Sequence, residues 1–248
     1  MAAAAPVSEP APVAEPAPVI LVTGTGTGVG KTVTTAVLVV GFREHGMRVA
    51  VVKPVQTGLR EGEPGDLEHV RRLAGEVETH EPVRLPDPLA PDTAARLAGV
   101  DLPSVAEQAA DLASLARRGD LDVVLVEGAG GLLVRIDGRG GTVADVGSEL
   151  VALGVRAGFV VVVSPGLGTL NHSALTAEAL RARGLDCLGL VIGSWPQPPD
   201  EPDLAMRCNL QDLPAVTRAP ILGRIPAGVG EWPADQFRAA AASWVRVE

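Results

Sequence analysis

Apolar residues in this chain come in short unbroken runs, separated by stretches with helical spacing. Val19 to Thr23 is the first run, Arg48 to Lys53 (RVAVVK) the second and Leu121 to Val126 (LDVVLV) the third. Phe159 to Ser164 (FVVVVS), Cys187 to Ile192 and Ile221 to Ile225 follow. Runs this short and this apolar read as strands covered on both faces. Between them the pattern predicts helices over 30–45, 66–74, 93–98, 103–118, 142–153, 168–183 and 233–245. Asp66 stands at or near one helix start, and Arg117-Arg118-Gly119 suits a helix end. Residues 54–65, 82–92 and 194–214 carry Gly or Pro and read as irregular loops.

Apolar parallel strands need helical crossovers, so the alternation predicts an α/β fold: a doubly wound, mostly parallel sheet flanked by helices. Ligands in such sheets sit beyond the carboxyl ends of the strands. The chemistry is therefore expected just after positions 23, 53, 126, 164, 193 and 225. No internal repeat is visible.

Composition narrows the function. The 248 residues suit a single α/β domain, and the 46% hydrophobic content supplies a sizeable core. Only 2% of residues are aromatic, so that core is built from Val, Leu, Ala and Ile. A net charge of −9 with no Tyr, three Trp and three Phe argues against nucleic-acid binding. It leaves room for a small anionic ligand held by local Lys and backbone N–H groups.

Cys187 and Cys208 lack partners at metal or disulfide spacing, and Cys187 reads as a small core residue. A cytoplasmic location is expected. Residues 1–18 (MAAAAPVSEPAPVAEPAP) read as a disordered, polyproline-like tail ahead of a domain over 19–248. The tail lacks the basic and apolar regions of a signal peptide, and no apolar run reaches transmembrane length, so no membrane is expected.

The first strand leads into Gly24-Thr25-Gly26-Thr27-Gly28-Val29-Gly30-Lys31-Thr32 and then a helix, the arrangement of the P-loop NTPase type. Glycines free backbone N–H groups to wrap a polyphosphate, Lys31 can reach the β- and γ-phosphates, and the Thr32 hydroxyl can ligate Mg²⁺. The spacing departs from G-x4-G-K-[ST]: Thr25 stands where the first glycine belongs, and Gly24 lies one residue early. Position 26, where switch-type partitioning ATPases carry an extra lysine, is Gly26.

Three more clusters sit at strand ends. Lys53-Pro54-Val55-Gln56-Thr57-Gly58 closes the second strand; Lys53 is either a solvated strand end or a second cation near the γ-phosphate. Glu127 in Val126-Glu127-Gly128-Ala129-Gly130-Gly131 stands where a P-loop enzyme keeps a Mg²⁺-directed acid. Asp66 is the second candidate acid, although alone it reads as a helix cap. Thr32, Asp66 and Glu127 would form an oxygen-donor set for Mg²⁺. Gly168 to Thr176 opens a helix whose free N–H groups suit a carboxylate, with His172 read as structural. No Ser/His/Asp or Cys/His set for nucleophilic catalysis occurs.

These clusters, in this order, resemble the dethiobiotin synthetase family. Its T-G-T-x-T-x-V-G-K-T, K-P-V-x-[ST]-G, E-G-A-G-G and G-x-x-N-H-x-x-L-T segments correspond to Thr23–Thr32, Lys53–Gly58, Glu127–Gly131 and Gly168–Thr176. Ala219 to Pro226 is similar to the family's A-P-x-L-G-x-x-P strand, and the likeness spans about residues 19–245. The resemblance implies ATP-dependent carboxylation of 7,8-diaminononanoate by CO2, with ring closure to dethiobiotin, ADP and phosphate. It implies Lys53 and Lys31 as catalytic residues. Thr27, Lys31, Lys53 and Thr57 would contact substrate, and Leu170 with Asn171 would receive its carboxylate from the partner subunit of a homodimer. ATP would lie on Gly28, Val29, Gly30, Lys31, Thr32 and Val33, with Asp66, Glu127, Gly128, Ala129 and Gly130. The last two strand ends, Gly193-Ser194 and Pro226-Ala227-Gly228, would complete its site. Thr32, Asp66 and Glu127 would bind Mg²⁺.

One departure bears on the nucleotide base. Many members end the strand before the long loop with an Asn that reads adenine, and here the strand ends Val191-Ile192-Gly193-Ser194-Trp195, without one. Relaxed selectivity, with other nucleoside triphosphates competing with ATP, is expected. Two other readings compete: a related P-loop ATP-dependent amidoligase, and a ParA/MinD-like switch ATPase. The amidoligases usually carry an appended glutaminase domain, for which this chain has no room. Gly26 and the absence of a basic amphipathic tail argue against the switch.

Overall fold

Each apolar run forms a strand, and the computed structural model describes residues 15–247. β1 (Val19–Gly24) leads through the glycine loop into α1 (Lys31–Glu44), followed by β2 (Val49–Val52), β3 (Val55–Thr57) and α2 (Asp66–Ala74). Then come β4 (Glu78–His80), β5 (Val83–Leu85), α3 (Pro91–Ala98), α4 (Val105–Ala116), β6 (Val123–Glu127) and α5 (Val143–Ala152). β7 (Ala157–Val163), α6 (Thr169–Arg181), β8 (Asp186–Trp195), α7 (Leu204–Thr217), β9 (Ile221–Pro226) and α8 (Ala234–Ala241) complete the order.

Among the described residues the main sheet runs β4-β2-β6-β1-β7-β8-β9, with every pairing parallel. Strand order reverses at β1, so the loop after β1 opens at the switch point where ligands bind. Val22 pairs with Glu127 in register, which sets the acid level with the start of that loop. Helices α1, α2 and α8 cover one face and α4 to α7 the other. The two faces are apolar because both sides of a parallel sheet are buried. Phe159, wholly buried, packs on α5 where Gly147 leaves room: a Cβ at Gly147 would lie 2.7 Å from the ring.

Several elements differ from the sequence reading. Residues 194–214 were expected as a loop, but α7 occupies much of that span. Asp203 caps it by accepting from the Met206 N–H at 2.7 Å, and Pro202 precedes the helix, so only Pro214 has to be accommodated inside. Residues 54–65 and 82–92 contain β3 and β5, which pair with each other in a small second sheet under α3. β4 forms an edge strand that its polar sequence Glu-Thr-His conceals. The last helix ends at Ala241, and the chain returns so that Val245 bridges Gly223. Residues 1–14 of the expected tail lie outside the described residues. Ala17, near its end, is buried and donates its N–H to Ala116 O at 2.9 Å. Among the described residues no helix is long and apolar enough to cross a membrane.

Candidate active site

The displaced glycine of the loop has a packing reason. A Cβ at Gly24 would lie 2.7 Å from Val29 Cγ2, so the loop folds back onto the strand end at that residue. Thr25 still extends β1's pairing, donating its N–H to Val162 O at 3.0 Å. Gly28 and Gly30 have φ of +74° and +99°, the left-handed region that disfavours side chains. Gly30 caps α1 without any side-chain bond, which leaves the first-turn N–H groups of α1 for an anion. Lys31 curls over the loop and donates to Gly26 O at 3.0 Å.

Lys53 stands at the next strand end, 4% exposed, and is no solvated terminus. Its N–H continues the edge pairing to His80 O at 2.9 Å. Its ammonium lies 2.6 Å from Asp66 Oδ2 and 2.9 Å from Glu127 Oε1, and also donates to Gly128 O at 3.3 Å. Burial alone would lower the Lys53 pKa, but the Glu127 and Asp66 carboxylates outweigh it and hold the group above the ordinary lysine value. Burial and the Lys53 charge push Lys31 below that value. Burial works against the Asp66 carboxylate, yet Lys53 holds it below the usual range.

Asp66 is not the helix cap. Gly65 takes that position, Asp66 is the first helical residue, and its side chain turns to Lys53. Glu127, 1% exposed, accepts from Thr32 Oγ1 at 2.9 Å and Lys53 Nζ at 2.9 Å on Oε1, and from Thr35 Oγ1 at 3.0 Å on Oε2. Thr35 was missed in the sequence. Its signal was the spacing of three from Thr32, which puts both hydroxyls on one helix face. Gln56, in the same segment as Lys53, accepts on Oε1 from the Asp66 N–H at 3.0 Å and so sets the start of α2.

A cavity of about 740 Å³ joins these groups. Thr27, Gly28, Gly30, Lys31, Thr32, Val33, Lys53, Thr57, Asp66, Glu127, Ala129 and Gly130 border it. Pro88 to Pro91 and Val134 close its far side, and no motif in the sequence marked them. Val29, Gly128, Gly193, Ser194, Pro226, Ala227 and Gly228 do not border this cavity. Gly193 instead abuts the back of the loop: a Cβ there would lie 2.0 Å from Val29 O. Ala227 donates its N–H to Trp195 O at 2.7 Å, which places the β9 end beside the β8 end. Leu170 and Asn171 also lie away from the cavity, half-buried and exposed in the first turn of α6.

Thr32, Asp66 and Glu127 bring two carboxylates and a hydroxyl to one place, the hard oxygen donors Mg²⁺ takes. The donor set fits that ion as a partial shell, to be completed by phosphate and water.

A parallel sheet carrying a phosphate loop at its switch point, with two lysines and two carboxylates at the same crest, defines an ATP-using protein of the P-loop class. A sequence family described as AAA domain matches residues 19–228. The chain is 53% identical over 228 residues to the ATP-dependent dethiobiotin synthetase BioD of Rhodococcus jostii (strain RHA1), covering 91% of this chain and 94% of that one. It is 53% identical over 230 residues to the enzyme of the same name from Streptomyces coelicolor, covering 92% and 91%. The chain belongs to the dethiobiotin synthetase family. Among solved structures, a chain of the MinC:MinD cell division protein complex of Aquifex aeolicus superposes with a TM-score of 0.56 at 15% identity, covering 94% of this chain and 99% of that one. Cell division ATPase MinD of Pyrococcus furiosus gives 0.52 at 18% identity, covering 91% and 97%. These two likenesses are of fold alone.

Proposed function

We propose that this chain uses ATP to join CO2 to 7,8-diaminononanoate and close the ureido ring of dethiobiotin, a step of biotin biosynthesis. One substrate amine adds to CO2, forming an N–C bond and losing a proton, which leaves a carbamate. A carbamate oxygen attacks the γ-phosphorus, and the bond to ADP breaks. The second amine attacks the carbamate carbon, phosphate leaves, and that nitrogen gives up its proton as the ring closes.

The observation that carries this reading is the Lys53 ammonium, buried between Asp66 and Glu127 on the same cavity as Lys31. Carbamate and triphosphate are both anions, and bringing them together needs concentrated positive charge. Lys31 and Lys53 are the protein's cations at that spot, offset by Asp66 and Glu127 until a divalent cation pairs with those acids. Thr32, Asp66 and Glu127 would hold Mg²⁺, which when bound neutralises part of the triphosphate charge. The substrate's own amines are the nucleophiles, so the protein positions and no protein nucleophile is needed. Thr27 and Thr57, on the cavity wall, would orient the diamine.

The same reading gives a cytoplasmic homodimer in which the partner's α6 start, Leu170 and Asn171, receives the substrate carboxylate. Exposed Leu167 and Leu175, on either side of that turn, support an apolar contact there. A phosphate-release assay tests the function. Release that requires both diaminononanoate and bicarbonate is expected, and release indifferent to the diamine rejects the reading.

A further inference from the structure

Asp66 and Glu127 hold the same ammonium but are themselves held differently. Glu127 is fixed by the hydroxyls of Thr32 and Thr35 as well as by Lys53. Asp66 is the first residue of α2, its side chain 32% exposed, and its direction depends on where that helix begins. Residues 58–65 lead into α2 with glycines at 58, 62 and 65, so the connection by itself does little to set that point.

Gln56 supplies the constraint from another element. β3 pairs with β5 at Gln56 and Arg84, and Val55 is buried with Leu85, Ala94 and Ala95. Alternation along the strand turns Gln56 the other way. There it is 5% exposed and borders the cavity. Its Nε2 donates to Thr57 O at 3.0 Å. That bond orients the amide and leaves Oε1 to accept from the Asp66 N–H at 3.0 Å. The first N–H groups of a helix have no partner within it, and the N-cap Gly65 offers no side chain. A Cβ at Gly65 would lie 3.1 Å from Gln56 Oε1, so the carboxamide stands where a capping side chain would. Glu68 and Arg84 brace the same turn, Glu68 accepting from the Gly65 N–H at 2.8 Å, but with more exposed side chains.

We infer that Gln56 is a positioning residue: its one carboxamide fixes the start of α2, and with it the Asp66 carboxylate on Lys53, and ties that point to the main chain of Thr57. Its bearing on catalysis rests on the function proposed above, in which Lys53 and Thr57 face the substrate. The Lys53 ammonium has Glu127 fixed on one side and Asp66, carried by a helix start, on the other. When that start moves, the ammonium moves. Loss of Gln56 should therefore slow the reaction and leave the grip on ATP, which the glycine loop and Lys31 supply, nearly intact.

Lys31 and Lys53 are the only lysines in the chain, so protein labelled with 15N at the lysine Nζ gives NMR signals in which the two ammonium groups report separately. Wild type, Gln56→Met, Asp66→Asn and the double variant test the inference; Met keeps the length of Gln and removes both bonds. Gln56→Met should move the Lys53 signal and leave that of Lys31 in place. In Asp66→Asn, adding Gln56→Met should move it little further, because the carboxylate through which Gln56 acts is already gone. In turnover, Gln56→Met should lose about tenfold in kcat and keep KM for ATP within about twofold. An unmoved Lys53 signal in Gln56→Met overturns the inference, and so does an equal shift with and without Asp66. Movement of both lysine signals would make Gln56 a general support of the fold and also overturn it. So would the expected shifts with kcat unchanged in an active protein. If the shifts appear and wild type shows no diamine-dependent phosphate release, the positioning holds and the proposed function fails.

Discussion

The Lys53 ammonium lies 2.9 Å from Glu127 Oε1, with both side chains almost wholly removed from water. Lys53 is the counter-ion of Glu127 and, at 2.6 Å, of the less buried Asp66, in a site of low dielectric. Removing one partner of such a pair strands the other charge, at a cost of about 3–5 kcal/mol. Lys53→Ala should therefore abolish diamine-dependent phosphate release and also lower the melting temperature. Adding Glu127→Gln to it should recover much of the stability and none of the turnover. A Lys53→Ala protein that melts like wild type would show that the pair does not carry this energy.

Glu127 depends on a second helix residue. Thr35 is fully buried and gives Oε2 its hydrogen bond at 3.0 Å. Thr35→Val keeps the shape, removes that donor and leaves a buried carboxylate oxygen unpaired, which costs about 1–3 kcal/mol. Denaturant unfolding should show this loss, and turnover should fall because Glu127 keeps only the Thr32 and Lys53 bonds on Oε1 to orient it. Thr35→Ser restores the hydroxyl and should restore both. Equal behaviour of the Val and Ser variants would remove Thr35 from the site.

Most of the sheet and the phosphate loop were legible in the sequence because strands buried on both faces read as unbroken apolar runs. Lys53 and Glu127 were legible because strand ends in a parallel sheet meet at one edge. What stayed hidden depends on neighbours far along the chain. β4 is three polar residues that become a strand only by pairing with β2. β3 and β5 exist only through each other. Asp66 read equally as a cap or an acid until the position of Gly65 and the 2.6 Å pair with Lys53 separated the two. α7 was masked by its prolines, although Asp203 was a usable start signal.

Asp137 gives the fold an acid-sensitive tie. It is 3% exposed and accepts from the N–H groups of Val105, Arg139 and Gly141 at 3.1, 2.9 and 2.7 Å, joining the start of α4 to the loop after β6. Burial opposes the charge, but those three donors outweigh it and hold the carboxyl below its usual range. A depressed carboxylate stabilises the fold above its unfolded value, near pH ~4, and that contribution is lost as pH falls through the lower folded value. Wild type should thus lose stability below about pH 4 more steeply than Asp137→Asn, which is weaker at neutral pH and carries no such proton linkage. Thermal melts across the acid range check this; parallel curves would contradict it.

Gly193 packs the end of β8 directly against the phosphate loop. A Cβ at this position would lie 2.0 Å from Val29 O, and a Cβ at Gly30 would lie 2.7 Å from Gly193 O. Strand end and phosphate loop are in backbone contact, so no side chain fits between them as they stand. An amide that reads adenine cannot be supplied from residue 193 without moving the loop that grips the phosphates. ATP, GTP and CTP should therefore bind within about tenfold of one another. Gly193→Asn should weaken all three, and tripolyphosphate with them, because the substitution displaces Val29 and the loop. Competition titrations measure both. A Gly193→Asn protein that binds tripolyphosphate normally and gains a preference for ATP would show that the loop yields at no cost, and would refute the expected tolerance of the base.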